Sequence, residues 1–319
     1  MNFLSRFFQR DHTDHALTIC AFGIMNNPEY RQEAWRESIA QRLLCFDAVC
    51  LVCGREEDLE MLAEAFPIEW ANGKFKAVYK YWPFPEWSYE ELPRHLNAAL
   101  ELAREQHCDW MVKLDLDTVL HERDVVRFRR EVARAHRKGK WVVSLPKIQF
   151  FTPTKYWRKG SLPIVINREA PIVYGFDRIR YTDLCQPIVW DGATTVAYNG
   201  KTYDIPSGET VPAKYVYQAS GIELFNYDFT FRTYERSIEL LYQIEMAHAR
   251  FWGKGYSGIP IDLITRETAM KDFLELSTDR YTRMQKIMPI GKHPKHFQGL
   301  IQHLKPEQWG FGLWGKILL

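Results

Sequence analysis

The chain has 319 residues, of which 46% are apolar and 26% charged, with 42 Lys plus Arg against 40 Asp plus Glu. This balance excludes a disordered chain, a collagen-like fibre and a miniature disulfide scaffold. A net charge of +2 gives no global sign of a nucleic-acid binder.

In chain order, residues 1–15 read as an amphipathic N-terminal segment. Phe3, Leu4, Phe7 and Phe8 fall at helical spacing, with Arg6 and Arg10 beside them, which suits either shallow membrane contact or packing on the core. The run Ala16–Phe22 predicts a buried strand ending at Gly23. Asn27 is expected to cap a helix with Pro28 at its first position, carrying Trp35, Ile39, Leu43 and Leu44 on one side. Ala48–Cys53 predicts a second strand, Glu56–Ala65 a helix and Phe75–Tyr79 a third strand. Ser88-Tyr89-Glu90-Glu91 has the form of a capping box that opens a helix through Leu92, Leu96, Leu100 and Leu102. Trp110–Leu114 and Trp141–Leu145 read as strands, with a basic helix over Glu122–Lys140 between them. Repeated β-α units of this length predict an α/β fold: a mostly parallel, Rossmann-like sheet with helices on both faces.

After Pro146 the chain becomes rich in Pro, Gly, Tyr and β-branched residues, and no helix is expected over 147–220. Thr194–Tyr198 and Lys201–Ile205 flank Asn199-Gly200, a hairpin signal. From Tyr234 a helix is predicted with Ile238, Leu241, Ile244 and Ala249 on one stripe and Gly253 as its stop. The tail from His293 mixes a short helix with Trp309, Phe311 and Trp314. The division is 16–150 as an α/β half, 151–235 as an antiparallel variable region and 236–319 as a helical C-terminal region, all within one continuous domain.

Six cysteines at irregular spacing in a large chain, without a secretory pattern over Met1–Arg10, predict reduced thiols and a cytoplasmic location. Cys50-Leu51-Val52-Cys53 lies in an apolar run and has no second pair, so it reads as a buried strand and not as a zinc site. No apolar run is long enough to span a bilayer.

The chemistry-bearing stretch is Trp110–Thr118. Residues two apart on a strand point the same way, so Asp115 and Asp117 are expected to share a face where the strand leaves the sheet. Two carboxylates there suit Mg²⁺ or Mn²⁺, which completes its shell with phosphate oxygens. The alternative is a capped turn with solvated carboxylates.

With its neighbours, this segment resembles the GT-A glycosyltransferases of the family-2 type. The matching segments are Leu17–Phe22, Trp35–Ile39, Ala48–Cys53, Arg94–Leu100 (which carries Asn97) and Asp109–Asp117, all within 16–150. The resemblance implies a metal-dependent, hexosyltransferase-type enzyme that moves a sugar from a nucleotide-diphosphate donor to an acceptor hydroxyl with inversion. A surface polysaccharide or lipopolysaccharide, hence a carbohydrate or glycolipid, is the implied acceptor. By position, Asp117 would bind the metal and Asp115 would share it or lie near the ribose. Phe22 and Gly23 would line the nucleotide pocket, with Asn97 on the adjoining helix. The acid that often follows the second strand in the family is replaced by Gly54–Asp58. Asn226 stands where a metal-binding His is expected, and Asp228 is the local substitute. Asp191 is the first candidate for the base that takes the acceptor proton, followed by Asp228.

Three rival readings stand beside this one. Asp115-Leu116-Asp117-Thr118-Val119-Leu120 also matches the opening motif of haloacid-dehalogenase-like phosphohydrolases, with Asp115 as nucleophile. The second rival is a non-catalytic carbohydrate-binding protein. The third is a modified base in DNA as acceptor, suggested only by the basic helix at 122–140. His293-x-x-His296 is read as loop surface in preference to a metal pair.

Overall fold

The computed structural model describes residues 16–304, apart from 151, 153, 176–177, 182–188, 191–194, 199–200, 205–210, 229 and 283–285. The N-terminal segment, Asp191, Asn199-Gly200 and the aromatic tail beyond 304 therefore lie outside the described residues.

The first half is built from short apolar strands and the helices that cover them. Strands β1 (Ile19–Met25), β2 (Ala48–Cys53) and β3 (Phe75–Tyr79) alternate with helices α1 (Trp35–Cys45), α2 (Glu56–Ala65) and α3 (Pro67–Ala71). Helix α4 (Glu91–Arg104) then leads into β4 (Trp110–Lys113). All six residues of β2 are buried, as a strand covered on both faces requires. Trp35, Ile39 and Leu43 of α1 pack on one face of the sheet, while Leu96, Ala99 and Leu100 of α4 pack on the other. These four strands are parallel in the order β3-β2-β1-β4.

The second half completes the sheet differently. After β5 (Thr118–Leu120) and α5 (Val125–Arg137) come β6 (Val142–Phe150) and β7 (Lys155–Asn167). The strand β7 inserts between β4 and β6 and is antiparallel to both. A strand pair and a three-stranded sheet follow outside the main sheet: β8 (Ile172–Gly175) with β9 (Arg178–Tyr181), and β10 (Val189–Trp190) with β11 (Thr195–Tyr198) and β12 (Lys201–Asp204). The predicted hairpin is thus present in β11 and β12. Strands β13 (Val216–Gln218) and β14 (Leu224–Asn226) return to the main sheet parallel to β6, and β14 is antiparallel to β5. Helices α6 (Tyr234–Trp252), α7 (Arg266–Thr282) and α8 (Lys295–Gln302), with the short β15 (Lys286–Ile287) on β7, close the described chain. The whole is a mostly parallel α/β sheet with helices on both faces, an antiparallel elaboration and a helical C-terminal region.

Several local expectations are corrected. β1 does not stop at Gly23 but runs to Met25. Asn27 caps no helix: it has φ 50°, and the turn it opens ends at Gln32, φ 52°. Two left-handed residues cannot continue a right-handed helix, so α1 begins only at Trp35, and Leu44 is left exposed. The capping box does not form, because Ser88 closes a turn through its carbonyl, which accepts from the Glu91 N–H at 3.0 Å. On α6 the inward positions include Leu240, Ala247 and Ala249, with Ile244 exposed. Gly253 does stop this helix, in the left-handed conformation at φ 75°. The described cysteines are free and buried. No helix among the described residues is long and apolar enough to cross a membrane.

Candidate active site

The sheet reverses direction at β1: β2 and β3 lie on one side of it and β4 on the other. The crevice beyond the carboxyl ends of strands at such a reversal is where open α/β sheets hold ligands. The acidic segment occurs there. Asp115 and Asp117, however, do not share a strand face. β4 ends at Lys113, and the chain turns through 114–117, closed by the Thr118 N–H on the Asp115 carbonyl at 2.7 Å. The turn is held at three further points. The Leu114 N–H donates to the Phe22 carbonyl (2.9 Å), the Tyr227 N–H donates to the Asp117 carbonyl (2.7 Å), and Arg42 Nη2 donates to the Asp115 carbonyl (2.5 Å).

The two carboxylates consequently meet different partners. Asp115 pairs with Lys113, whose Nζ lies 2.6 and 2.8 Å from its two oxygens. Burial pushes Asp115 up, but Lys113, Lys147 and Arg42 outweigh it and hold the carboxyl at about 2. Asp117 accepts from Asn226 Nδ2 (2.8 Å) and Thr118 Oγ1 (2.8 Å), because the β14–β5 register sets Asn226 opposite Thr118. Burial, then the nearby Asp228 and Asp115, push Asp117 up to about 6, against the milder pull of Lys147 and Arg232.

Beside Asp117 lies a small pocket lined by Glu33, Ala34, Asp117, Tyr227, Asp228 and Arg232, among others. Arg232 organises it. The buried guanidinium pairs with Glu33 (2.8 Å) and Asp228 (2.9 Å) and donates to the Arg31 carbonyl (3.0 Å). Burial alone would lower its pKa, but Asp228, Glu33 and Asp117 raise it above the usual value. A second, open cleft of about 520 Å³ lies past the ends of β2 and β3, lined by residues including Asn27, Gly54, Arg55, Tyr79, Tyr81 and Trp82.

Among the described residues no group of three or more His, Cys, Asp or Glu converges to hold a metal ion. Asp117 nevertheless offers hard carboxylate oxygens beside the pocket that Glu33 and Asp228 also line. That fits a divalent cation whose other positions are filled by phosphate oxygens and water.

No protein-family model matches the chain, and no curated protein matches it significantly. Among solved structures, it is similar to S. aureus TarS 1-349 in complex with UDP-GlcNAc, at 12% identity and a TM-score of 0.30. That match covers 42% of this chain and 35% of the other, so it spans about a third of that protein's length. The complex of TarS 1-349 with UDP matches at 12% identity over 89% of this chain and 78% of that one, with a TM-score of 0.34.

The remaining expected site residues take up other places. Phe22 is fully buried and packs edge-on against Tyr174. Gly23 is needed for close approach: a Cβ there would lie 2.4 Å from the Leu114 carbonyl oxygen and 3.4 Å from Arg42. Asn97 spends its amide on the Tyr174 backbone, at 2.9 Å and 2.7 Å, and so ties α4 to β8. His293 is buried, with Nδ1 2.8 Å from the Tyr227 hydroxyl. His296 is exposed, so the pair is neither loop surface as a whole nor a metal pair. On the basic helix, Arg127 bonds the Gly221 carbonyl, Arg129 pairs with Asp47, and Arg134 pairs with Glu131.

Sequence reasoning gave no role to Lys113, Arg42, Lys147 or Glu33. Lys113 carried a signal, since a lysine ending an apolar strand two residues before an acid is placed to pair with it. Arg42 carried none, because its partner is a backbone carbonyl 73 residues away.

Proposed function

We propose that the protein is a metal-dependent glycosyltransferase of GT-A type that moves a hexose from a nucleotide-diphosphate donor to a carbohydrate or glycolipid hydroxyl with inversion. The observation that carries this reading is Asp117: a carboxylate fixed by Asn226 and Thr118 at the sheet's reversal point, beside a small pocket that Asp228 and Arg232 also line. Asp117, with Asp115, is the proposed holder of Mg²⁺ or Mn²⁺. When bound, such an ion stabilises charge on a departing diphosphate.

In this reading the chain's own groups divide the work. Asn226 and Thr118 fix the Asp117 carboxylate. Arg232 holds Asp228 beside it, where Asp228 takes the proton from the acceptor hydroxyl, with Asp191 as the other candidate base. Gly23 lets β1 approach the acidic turn, and Phe22 and Asn97 stiffen the wall behind it. The donor's base is assigned to the cleft at Tyr79 and Tyr81. Trp82 lines the same cleft, which therefore offers aromatic surface. A planar base can stack on such side chains.

Thermal unfolding with a panel of nucleoside diphosphates, with and without Mn²⁺, tests the reading. One nucleotide should raise the melting temperature with Mn²⁺, since binding to the folded state stabilises it by mass action. Asp117→Ala should remove that shift and sugar transfer while the protein stays folded. A wild-type protein indifferent to every nucleotide in both buffers overturns the assignment.

A further inference from the structure

Asp115 already has a resident cation. Lys113 grips both of its oxygens, and the Lys113 side chain is 11% exposed while that of Asp115 is 41% exposed. The lysine is therefore largely buried, while the Asp115 carboxylate keeps access to solvent just past the end of β4. Two more cations support the same turn. Arg42, 1% exposed, donates to the Asp115 carbonyl from below, with Nε and Nη1 unpartnered. Lys147 on β6 acts on both Asp115 and Asp117. The acidic turn is thus embedded in positive charge, whereas two metal-ligating acids need none.

We propose that Lys113 is an exchangeable counter-ion. It neutralises Asp115 while the site is empty, and it swings to the diphosphate of the donor when a divalent cation takes its place on Asp115. Lys113 then contacts the diphosphate in a way that works partly without metal. The inference rests on the proposed donor site and refines it.

Two titrations on the folded protein test the exchange, with Lys113→Met and Lys113→Arg compared to wild type. Mn²⁺ alone should bind about three- to tenfold more tightly to Lys113→Met, because the competing cation is gone. Inorganic pyrophosphate in EDTA should bind about tenfold more weakly to Lys113→Met, the loss of one charge-assisted contact, and Lys113→Arg should retain the wild-type affinity. These opposite signs are not expected of a residue that only supports the fold. If pyrophosphate binds wild type and Lys113→Met equally, or Mn²⁺ binding is unchanged or weaker in Lys113→Met, the exchange is overturned while the donor site stands. If wild type binds pyrophosphate neither in EDTA nor with Mn²⁺, the donor site falls and the exchange with it.

Discussion

The two halves of the sheet are made of different material. In β3-β2-β1-β4 the strands are parallel and mostly apolar, and their faces are closed by α1 and α4. In β7-β6-β14-β5 the directions are mixed, and the strands carry Lys147, Gln149, Asn226 and Thr118. The first half supplies an edge on which a ligand can rest. The second half returns across that edge and delivers the groups around Asp117, Asn226 above all, while the first half supplies Lys113 and Arg42 to Asp115. The scaffold thus holds one acid and the antiparallel return furnishes the other.

Three perturbations would break or sharpen this contrast. The largest effect is expected on the furnished side. Arg232→Met leaves Asp228 without its guanidinium partner and Glu33 with Arg31 alone in a confined pocket, and it should cost about 3–5 kcal/mol in chemical denaturation. A loss below about 1 kcal/mol would mean that the pocket relaxes easily and holds no fixed geometry. On the scaffold side, Gly23→Ala forces a methyl against the Leu114 carbonyl oxygen. It should cost about 1–3 kcal/mol and weaken nucleotide binding by shifting the acidic turn. Unchanged stability would mean that β1 and β4 are not so closely apposed.

The smallest effect concerns pH. The Asp117 carboxyl, raised to about 6 from an ordinary value near 3.8, is uncomfortable when ionised. Its charge therefore destabilises the metal-free protein above pH 6, and the penalty fades as pH falls from 6 toward 4. Asp117→Asn should be more stable than wild type at pH 7.5, by on the order of 1–3 kcal/mol, and the gap should close near pH 4. A gap that is constant across this range would remove the electrostatic account of Asp117.

The scaffold was legible in the sequence. Ala48–Cys53, Glu56–Ala65 and Phe75–Tyr79 match β2, α2 and β3 residue for residue, because each is a run with one period and clear punctuation. Asn27 misled because the same residue that caps helices also tolerates the left-handed turn it adopts here. The acidic pair was legible as a place but not as an arrangement. A spacing of two predicts a shared face only while the strand continues, and Lys113 ends it. What divides Asp115 from Asp117 is long-range: Arg42 from α1 holds one, and the register of β14 against β5 brings Asn226 to the other. No local pattern encodes the second, since Leu224–Asn226 is an ordinary three-residue strand.

The placement of β7 has a consequence for biosynthesis. As the chain emerges from the ribosome, β1 to β4 can assemble at once, but β4 then presents a row of unsatisfied amides and carbonyls until Val165–Asn167 arrive to pair with it. An uncapped margin of this kind recruits foreign strands. Fragments cut short near residue 150 should therefore clump or sequester chaperones, whereas ones extending past β14 should stay dispersed.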